Sequence, residues 1–199
     1  MLDSALRARY ARPMDATASR LAGAGVTPGA LTALGLVVGI GACVAAALSQ
    51  WPLALVLFLI NRGLDGLDGA VARAGGGGSD LGGLLDFMAD FVVYGGFVVG
   101  VAVAEPDARV ACAALLATYL LNNVALLSFA SLVEKRRLQF GDERSLRFTP
   151  GLTEGTETIL AYVAFCLIPS RAEIVAWAFA AMVLITVAQR LQLAVVTLR

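Results

Sequence analysis

Histidine is absent from the sequence, and only 15% of its 199 residues are charged. Without histidine, any acid–base or metal chemistry of this chain has to use carboxylates. Soluble domains usually carry about 25% charged residues, so the scarcity of charge argues against a soluble domain. The formal net charge is zero and says nothing about partners, and we expect no nucleic acid among them.

Cysteine is also scarce, and its placement argues against a disulfide framework. Cys43, Cys112 and Cys166 lie far apart in apolar runs and form no CxxC pair. We therefore interpret them as small packing residues. A secretory signal is not expected either, because residues 1–27 carry arginines without an apolar core or a cleavage site.

In contrast, hydrophobic residues make up 59% of the sequence. They fall in repeated runs of about the length that a membrane-spanning helix needs. We therefore predict an all-α integral membrane protein with six transmembrane helices, at about residues 30–49, 52–73, 80–104, 108–133, 153–168 and 171–195. Thr27 and Pro28 resemble an N-cap followed by a proline in the first helical turn, which predicts the start of the first helix.

An amphipathic segment precedes the predicted spans. In residues 1–24, apolar residues recur at helical spacing with arginines between them. This pattern is typical of a helix that lies in the membrane interface. We accordingly divide the chain into an N-terminal amphipathic juxtamembrane segment, residues 1–26, and a six-helix transmembrane catalytic domain, residues 27–199.

The basic residues indicate how the predicted spans are oriented. Only Arg109 and Arg171 fall on one side of the membrane, whereas the other arginines and lysines lie on or toward the opposite side. Cytoplasmic loops carry an excess of Lys and Arg. Both termini, the 74–79 turn and the 134–152 loop are therefore predicted to be cytoplasmic, and a bacterial cytoplasmic membrane is the expected location.

The second predicted span is unusual because its second half is polar. The apolar residues 53–60 are followed by Asn61, Arg62, Asp65 and Asp68. An aspartate near mid-membrane costs about 2.5 kcal/mol or more, whereas a leucine-type residue returns only about 0.3 to 0.6 kcal/mol. The polar half must therefore face a wet cavity or a bound ion.

Two further aspartates meet this polar half from the next predicted span. At a rise of about 1.5 Å per residue, Asp65 lies about 10 Å inside the cytoplasmic boundary, Asp86 about 9 Å and Asp90 about 15 Å. Asp65 and Asp68 share one helical face, and Asp86 and Asp90 share another. Four facing carboxylates repel one another unless divalent cations neutralise them, and hard oxygen ligands favour Mg²⁺ or Mn²⁺.

These aspartates belong to a longer pattern. The sequence reads Asp65-x-x-Asp68-Gly69-x-x-Ala72-Arg73, then eight residues, then Gly82-x-x-x-Asp86-x-x-x-Asp90. This pattern resembles the signature of the CDP-alcohol phosphotransferases and fills each of its positions. The plan of six spans after an amphipathic helix is also similar to this family, so the resemblance covers essentially the whole chain.

The resemblance implies a reaction and a role for each motif residue. The family moves a phosphatidyl or related phosphoalcohol group from a CDP-linked lipid, such as CDP-diacylglycerol, to a hydroxyl acceptor and releases CMP, in phospholipid biosynthesis. Asp65, Asp68 and Asp86 would bind one of two Mg²⁺ or Mn²⁺ ions. Asp90 would join Asp65 and Asp86 at the second ion and would also be the general base. The residues that would line the CDP site are Asp68, Gly69, Ala72, Arg73 and Gly82.

The acceptor and the assembly are less determined. Phe87 and Phe91 stand where the glycerophosphate-transferring branch typically has proline and lysine, so the resemblance disfavours that branch. Serine, inositol phosphate, the less favoured glycerophosphate, phosphatidylglycerol or another small or lipid hydroxyl remain open as acceptors. Gly95, Gly96 and Gly100 allow close approach of helices, and the family members that this chain resembles are often dimers. We therefore predict a homodimer.

Two other classes of membrane protein also use carboxylates. An aspartate-lined divalent metal or ion transporter predicts polar residues that continue to the far side of the membrane. The second and third spans, however, are apolar before Asn61 and beyond Asp90. A prenyl-diphosphate enzyme also uses aspartate-held magnesium, but its motifs normally lack the Gly69, Ala72 and Arg73 element.

Some polar residues keep two interpretations at this point. Arg62 could pair with Asp65 or with a phosphate, and the sequence does not separate the two. Other polar residues outside the motif suit either structure, as helix caps, interhelical hydrogen bonds and headgroup contacts, or substrate binding. They are Asn122, Asn123, Glu154, Glu157, Arg190 and the basic segment 135–147, which includes Arg136 and Arg137.

Overall fold

The structure is a computed structural model that describes residues 14–137 and 155–198. Every regular element in these two ranges is a helix. Contacts group the chain into two compact units, Met1–Ala104 and Glu105–Arg199. The all-α class is confirmed, whereas the division into an N-terminal segment and one six-helix domain stays a prediction.

The first unit contains four helices with recognisable start and stop signals. They are α1 (residues 14–23), α2 (Pro28–Ala47), α3 (Trp51–Ala74) and α4 (Asp80–Ala104). The Thr27 side chain accepts a hydrogen bond from the backbone N–H of Ala30 at 3.3 Å, as the predicted N-cap requires. Between α3 and α4, Gly76 and Gly77 have φ of 97° and 118°, which glycine adopts without steric cost.

The second unit contains the helices α5 (Arg109–Lys135), α6 (Gly155–Leu167) and α7 (Ala172–Leu198). Asn122 on α5 accepts a hydrogen bond from Arg190 on α7 at 2.8 Å, and Arg190 is only 7% exposed. The interhelical interpretation of Asn122 is therefore confirmed. The Tyr119 and Tyr162 hydroxyls lie 3.1 Å apart and link α5 to α6.

Within residues 14–137 and 155–198, four segments are long and apolar enough to cross a membrane. They are Pro28–Ala47, Asp80–Ala104, Pro106–Lys135 and Pro169–Leu198. The chain is thus a multi-pass membrane protein. The arrangement of six spans is not confirmed, because α3 is apolar only in its first half and α6 is an apolar helix of 13 residues.

The described part of the N-terminal segment packs against the protein. Ala18 of α1 is fully buried in a cluster with Leu31 of α2 and with Ala70 and Val71 of α3. This apolar side therefore contacts two helices of its own unit, and the interfacial location of the segment stays a prediction. Residues 1–13 of the segment lie outside the described residues.

Glycines bring α2 and α4 into close contact. A Cβ added at Gly100 would lie 2.6 Å from the backbone oxygen of Cys43, and one added at Gly96 would lie 3.0 Å from the Cys43 sulfur. A Cβ at Gly39 would collide with the Val93 side chain. Gly96 and Gly100, two of the three glycines that supported the expectation of a homodimer, thus already pack within the chain.

This packing predicts opposite effects for two glycine-to-alanine replacements. Gly100→Ala should destabilise the protein by about 1–3 kcal/mol, because the added methyl group meets backbone atoms that cannot rotate away. Gly63→Ala, on α3, should leave stability unchanged or raise it by less than about 1 kcal/mol, since no atom lies within 4 Å of the added Cβ. Thermal unfolding in detergent checks both. Equal midpoints for the two variants would contradict the packing of α2 on α4.

Candidate active site

The four aspartates of the motif line one open cleft in the first unit. The cleft lies between α2, α3 and α4. Its lining consists of Thr32, Gly35 and Leu36 from α2, Asn61, Arg62, Asp65 and Asp68 from α3, and Asp86, Ala89 and Asp90 from α4. The polar half of α3 therefore faces a cleft, as its composition predicted.

Helical spacing explains how the aspartates come together. Asp65 and Asp68 lie three residues apart on α3, and Asp86 and Asp90 lie four residues apart on α4, so each pair shares a face. Asp68 is the most enclosed, at 4% exposure. The side chains of Asp65 and Asp90 are 31% and 27% exposed. These two carboxylates are therefore reachable from the open side of the cleft.

Asp68 is held by a residue that lies outside the sequence motif. The hydroxyl of Thr32, on α2, donates a hydrogen bond to Asp68 Oδ2 at 2.7 Å. A bond of this length to a charged acceptor is stronger than a bond between neutral groups. The only feature of the sequence that could have indicated this contact is the hydroxyl side chain of Thr32 within an otherwise apolar span.

Arg62 supplies the positive charge of the cleft. Its Nη2 donates to Asp90 Oδ1 at 2.8 Å, whereas its Nη1 lies 3.5 Å from Asp65 Oδ2. The Arg62 side chain is only 8% exposed. The structure thus pairs Arg62 with Asp65, one of its two interpretations, and more closely with Asp90 on α4. The phosphate interpretation stays a prediction.

Asn61 and Tyr94 hold the Arg62 guanidinium in place. Asn61 Oδ1 accepts from Arg62 Nε at 2.8 Å and from Nη2 at 2.6 Å, and the Tyr94 hydroxyl accepts from Nη1 at 2.7 Å. The guanidinium also lies over the Tyr94 ring, 4.7 Å from its centroid. Asn61 in turn donates from Nδ2 to the Gly35 backbone oxygen at 2.9 Å. The arginine is thus tied to α2 and α4 as well as to its own helix.

The other predicted site residues lie outside the lining of this cleft. Arg73 is exposed near the end of α3, with Nη1 3.4 Å from where a Cβ at Gly69 would be. Ala72 is half-buried, and Gly82 is exposed in the first turn of α4, where its N–H donates to Ser79 Oγ at 3.0 Å. Sequence reasoning missed Thr32 and Tyr94, which contact Asp68 and Arg62 across helices, and it gave no separate role to Asn61, which contacts Arg62 on the same helix.

Some predicted residues are placed elsewhere or are not described. Glu157 lies in the first turn of α6, as its helix-start interpretation expects. Asn123 Oδ1 is buried and has no hydrogen-bond partner among residues 14–137 and 155–198. Glu154 and most of the basic segment, including Arg144 and Arg147, lie outside the described residues.

The carboxylates of the cleft do not converge as a ready-made metal site. Within residues 14–137 and 155–198, no group of three or more acidic, histidine or cysteine side chains is arranged to hold a metal ion. The ion pair with Arg62 instead neutralises part of the negative charge. The fold and the cleft together define a class: a multi-pass helical membrane protein with an open, carboxylate-lined cleft between helices.

Comparison with known proteins identifies the family within this class. The family model described as CDP-alcohol phosphatidyltransferase matches residues 25–196. The chain therefore belongs to the CDP-alcohol phosphatidyltransferase family. The family predicted from the aspartate motif is confirmed, and the transporter and prenyl-diphosphate interpretations are set aside.

Individual relatives cover much of the chain. It is 37% identical over 173 residues to inner membrane protein YnjF of Escherichia coli strain K12, and the matched residues make up 85% of this chain and 84% of that protein. It is 33% identical over 99 residues to archaetidylinositol phosphate synthase of Pyrococcus horikoshii, covering 50% of this chain and 53% of that protein.

Solved structures share the fold at low sequence identity. Mycobacterium tuberculosis phosphatidylinositol phosphate synthase (PgsA1) with CDP-DAG bound has a TM-score of 0.74 at 21% identity, over 92% of this chain and 94% of that chain. The same synthase in complex with manganese and citrate has a TM-score of 0.72 at 22% identity, over 91% and 88%.

The hydrogen bond between Thr32 and Asp68 predicts a difference between two substitutions. Thr32→Val should lower the free energy of unfolding by about 1–3 kcal/mol, because a buried carboxylate loses its donor. Thr32→Ser keeps the hydroxyl and should lose less. Thermal unfolding in detergent with EDTA measures both in the metal-free protein. If valine and serine unfold at the same midpoint, this hydrogen bond does not stabilise the cleft.

Proposed function

We propose that this chain transfers a phosphatidyl or related phosphoalcohol group from CDP-diacylglycerol, or a similar CDP-linked lipid, to a hydroxyl acceptor and releases CMP. The observation that carries the proposal is that all four aspartates of the family motif line one open cleft. Family membership and the fold of a synthase with CDP-DAG bound support the same donor.

The donor set of the cleft fits divalent cations. Four carboxylates are hard oxygen ligands, and the described lining contains neither histidine nor thiolate, a combination that suits Mg²⁺ or Mn²⁺. Asp65, Asp68 and Asp86 would hold one ion, and Asp90 would join Asp65 and Asp86 at a second. Bound there, the ions would neutralise the charge of the donor pyrophosphate. A structure of the fold with manganese is consistent with this use.

The motif residues next to the cleft would bind the nucleotide. Gly69, Ala72 and Gly82 have small side chains, which lets a ligand approach the backbone closely. Arg73 is exposed on α3, so its guanidinium is accessible to a phosphate and can donate two parallel hydrogen bonds. Asp68 lies one residue before Gly69 and would complete this CDP site.

Asp90 would act as the general base. Its carboxylate is partly exposed to the cleft, so it can take the proton from the acceptor hydroxyl. The acceptor oxygen would then form a bond to the phosphorus that carries the lipid, and the bond from that phosphorus to the bridging oxygen of CMP would break. The products are CMP and a new phosphodiester. Positioned bases of this kind typically contribute about 10²–10⁴-fold in rate.

The acceptor is to be identified by testing a panel of hydroxyl compounds. Two relatives are named as synthases of archaetidylinositol phosphate and phosphatidylinositol phosphate, which makes an inositol phosphate the first acceptor to test. Serine, glycerophosphate and phosphatidylglycerol complete the panel. The homodimer also stays a prediction, without the support of Gly96 and Gly100, which pack within the chain.

The first experiment measures CMP release by the purified chain with CDP-diacylglycerol and the acceptor panel. Activity should vanish in EDTA and return with Mg²⁺ or Mn²⁺. Asp90→Asn should lose turnover by about 100-fold or more while still binding the donor, whereas Asp65→Asn should lose metal-dependent donor binding as well. Asp80→Asn, on the same helix but outside the cleft lining, is the matched control.

Two results would refute parts of this proposal. CMP release at the full rate in metal-free buffer would exclude the two-ion site. Near-normal turnover of Asp90→Asn would place the base elsewhere, and Glu157 or Glu154 would be the next residues to replace.

The proposed topology has six spans, with α3 and α6 added to the four apolar segments. The cleft would then face the cytoplasm, with the 74–79 turn on the cytoplasmic side. In a background with the native cysteines replaced by alanine, Gln50→Cys and Gly78→Cys should react with a membrane-impermeant thiol reagent from opposite sides. Labelling of both positions from the same side would rule out a membrane-crossing α3.

A further inference from the structure

Arg62 has no role in the proposed reaction so far. It is not part of the family motif, and yet of its two ion pairs in the cleft the shorter is with Asp90, the proposed base. The side chain is 8% exposed. A guanidinium that is buried to this extent has to obtain its hydrogen-bond acceptors from the protein.

Those acceptors come from three different directions. Asn61 Oδ1 binds Nε and Nη2, the Tyr94 hydroxyl binds Nη1, and Asp90 Oδ1 binds Nη2. The acceptors Asn61 and Tyr94 are uncharged groups on α3 and α4. They fix the plane of the guanidinium, and Asp90 then has one defined position in which it can accept from Nη2.

We propose that Arg62 is a positioning residue, which holds the Asp90 carboxylate through Oδ1 and so fixes the orientation of the base toward the acceptor hydroxyl. The proposal rests on Asp90 as the base of the proposed function. Arg62 itself touches no substrate in this role. Its contact with Asp65 is longer, at 3.5 Å, and is an ion pair without a hydrogen bond, so the effect of Arg62 on the reaction passes through Asp90.

A double-mutant cycle of Arg62 and Asp90 tests the proposal. Arg62→Gln should lower kcat by about 10- to 100-fold, the usual effect of losing an outer-shell partner, and should leave the KM for CDP-diacylglycerol within about twofold. In the Asp90→Asn background, Arg62→Gln should cost less than about a further twofold, because the oriented carboxylate is already gone. In the background of the control variant Asp80→Asn, which lies outside the cleft lining, it should keep its full effect.

A second readout requires neither metal nor turnover. In EDTA, the midpoint of thermal unfolding should fall in Arg62→Gln and in Asp90→Asn, and the double variant should fall by less than the sum of the two, since one pair is lost only once. Arg20→Gln removes the same charge from an exposed position in α1 and should change neither midpoint nor turnover. Tyr94→Phe removes one acceptor but keeps the ring, and should lower kcat less than Arg62→Gln does.

The outcomes separate this inference from the proposed function. If Asp90→Asn is inactive but Arg62→Gln lowers kcat by the same factor in the Asp90→Asn background as in the native chain, Asp90 remains the base and the positioning role of Arg62 is overturned. If the two midpoint shifts simply add, the pair does not exist in the metal-free protein and the inference fails in the same way. If Asp90→Asn keeps its turnover, the assigned base is wrong, and this inference is overturned with it. If Arg62→Gln does not fold, Tyr94→Phe repeats the cycle.

Discussion

A carboxylate inside a bundle of apolar helices has to be compensated by the protein, because lipid offers neither water nor hydrogen-bond donors. In the first unit this compensation is local and specific. Arg62 neutralises Asp90 and, at longer range, Asp65, while Thr32 donates to Asp68. The polar half of α3 is tolerable only because these partners surround an open cleft. The motif aspartates and their partners are thus concentrated at this one cleft.

The close packing of α2 makes this compensation possible. Asn61 can reach the Gly35 backbone oxygen only if α2 lies close to α3, and a Cβ at Gly39 would come within 2.9 Å of Asn61 Nδ2. Asn61 in turn fixes Arg62, and Arg62 fixes Asp90. The close packing at Gly39, which involves no charge, thus supports a series of contacts that runs through Asn61 and Arg62 to Asp90, the proposed base.

Much of this arrangement could be read from the sequence, and the reasons are local. The start of α2 followed from Thr27 with Pro28, and the predicted span 52–73 agrees with α3 to within one residue at each end. Spacing of three and four residues was enough to put the aspartates on common faces, and the family followed from the motif. The six predicted spans are not all confirmed, since the polar half of α3 and the short α6 depart from the apolar pattern.

The contacts between helices could not be read in the same way. α2 is apolar on all sides, so its periodicity does not indicate which face meets α3, and nothing marked Thr32 as the partner of Asp68. For Arg62 the sequence left two partners open, a phosphate or Asp65, its neighbour at i+3 on the same helix. The structure puts its shorter contact on Asp90, 28 residues further along the chain, because that contact depends on how α4 is rotated against α3.

This rotation depends on the connection between α3 and α4, where Gly76 and Gly77 adopt positive φ. Its length therefore determines the register of the two halves of the motif, and a residue inserted in the first turn of α4 would rotate Asp86 and Asp90 by about 100° about the helix axis. The eight-residue interval in the signature is thus explained by the geometry of a helix reversal: the chemistry constrains the aspartates, and the turn constrains the number of residues between them.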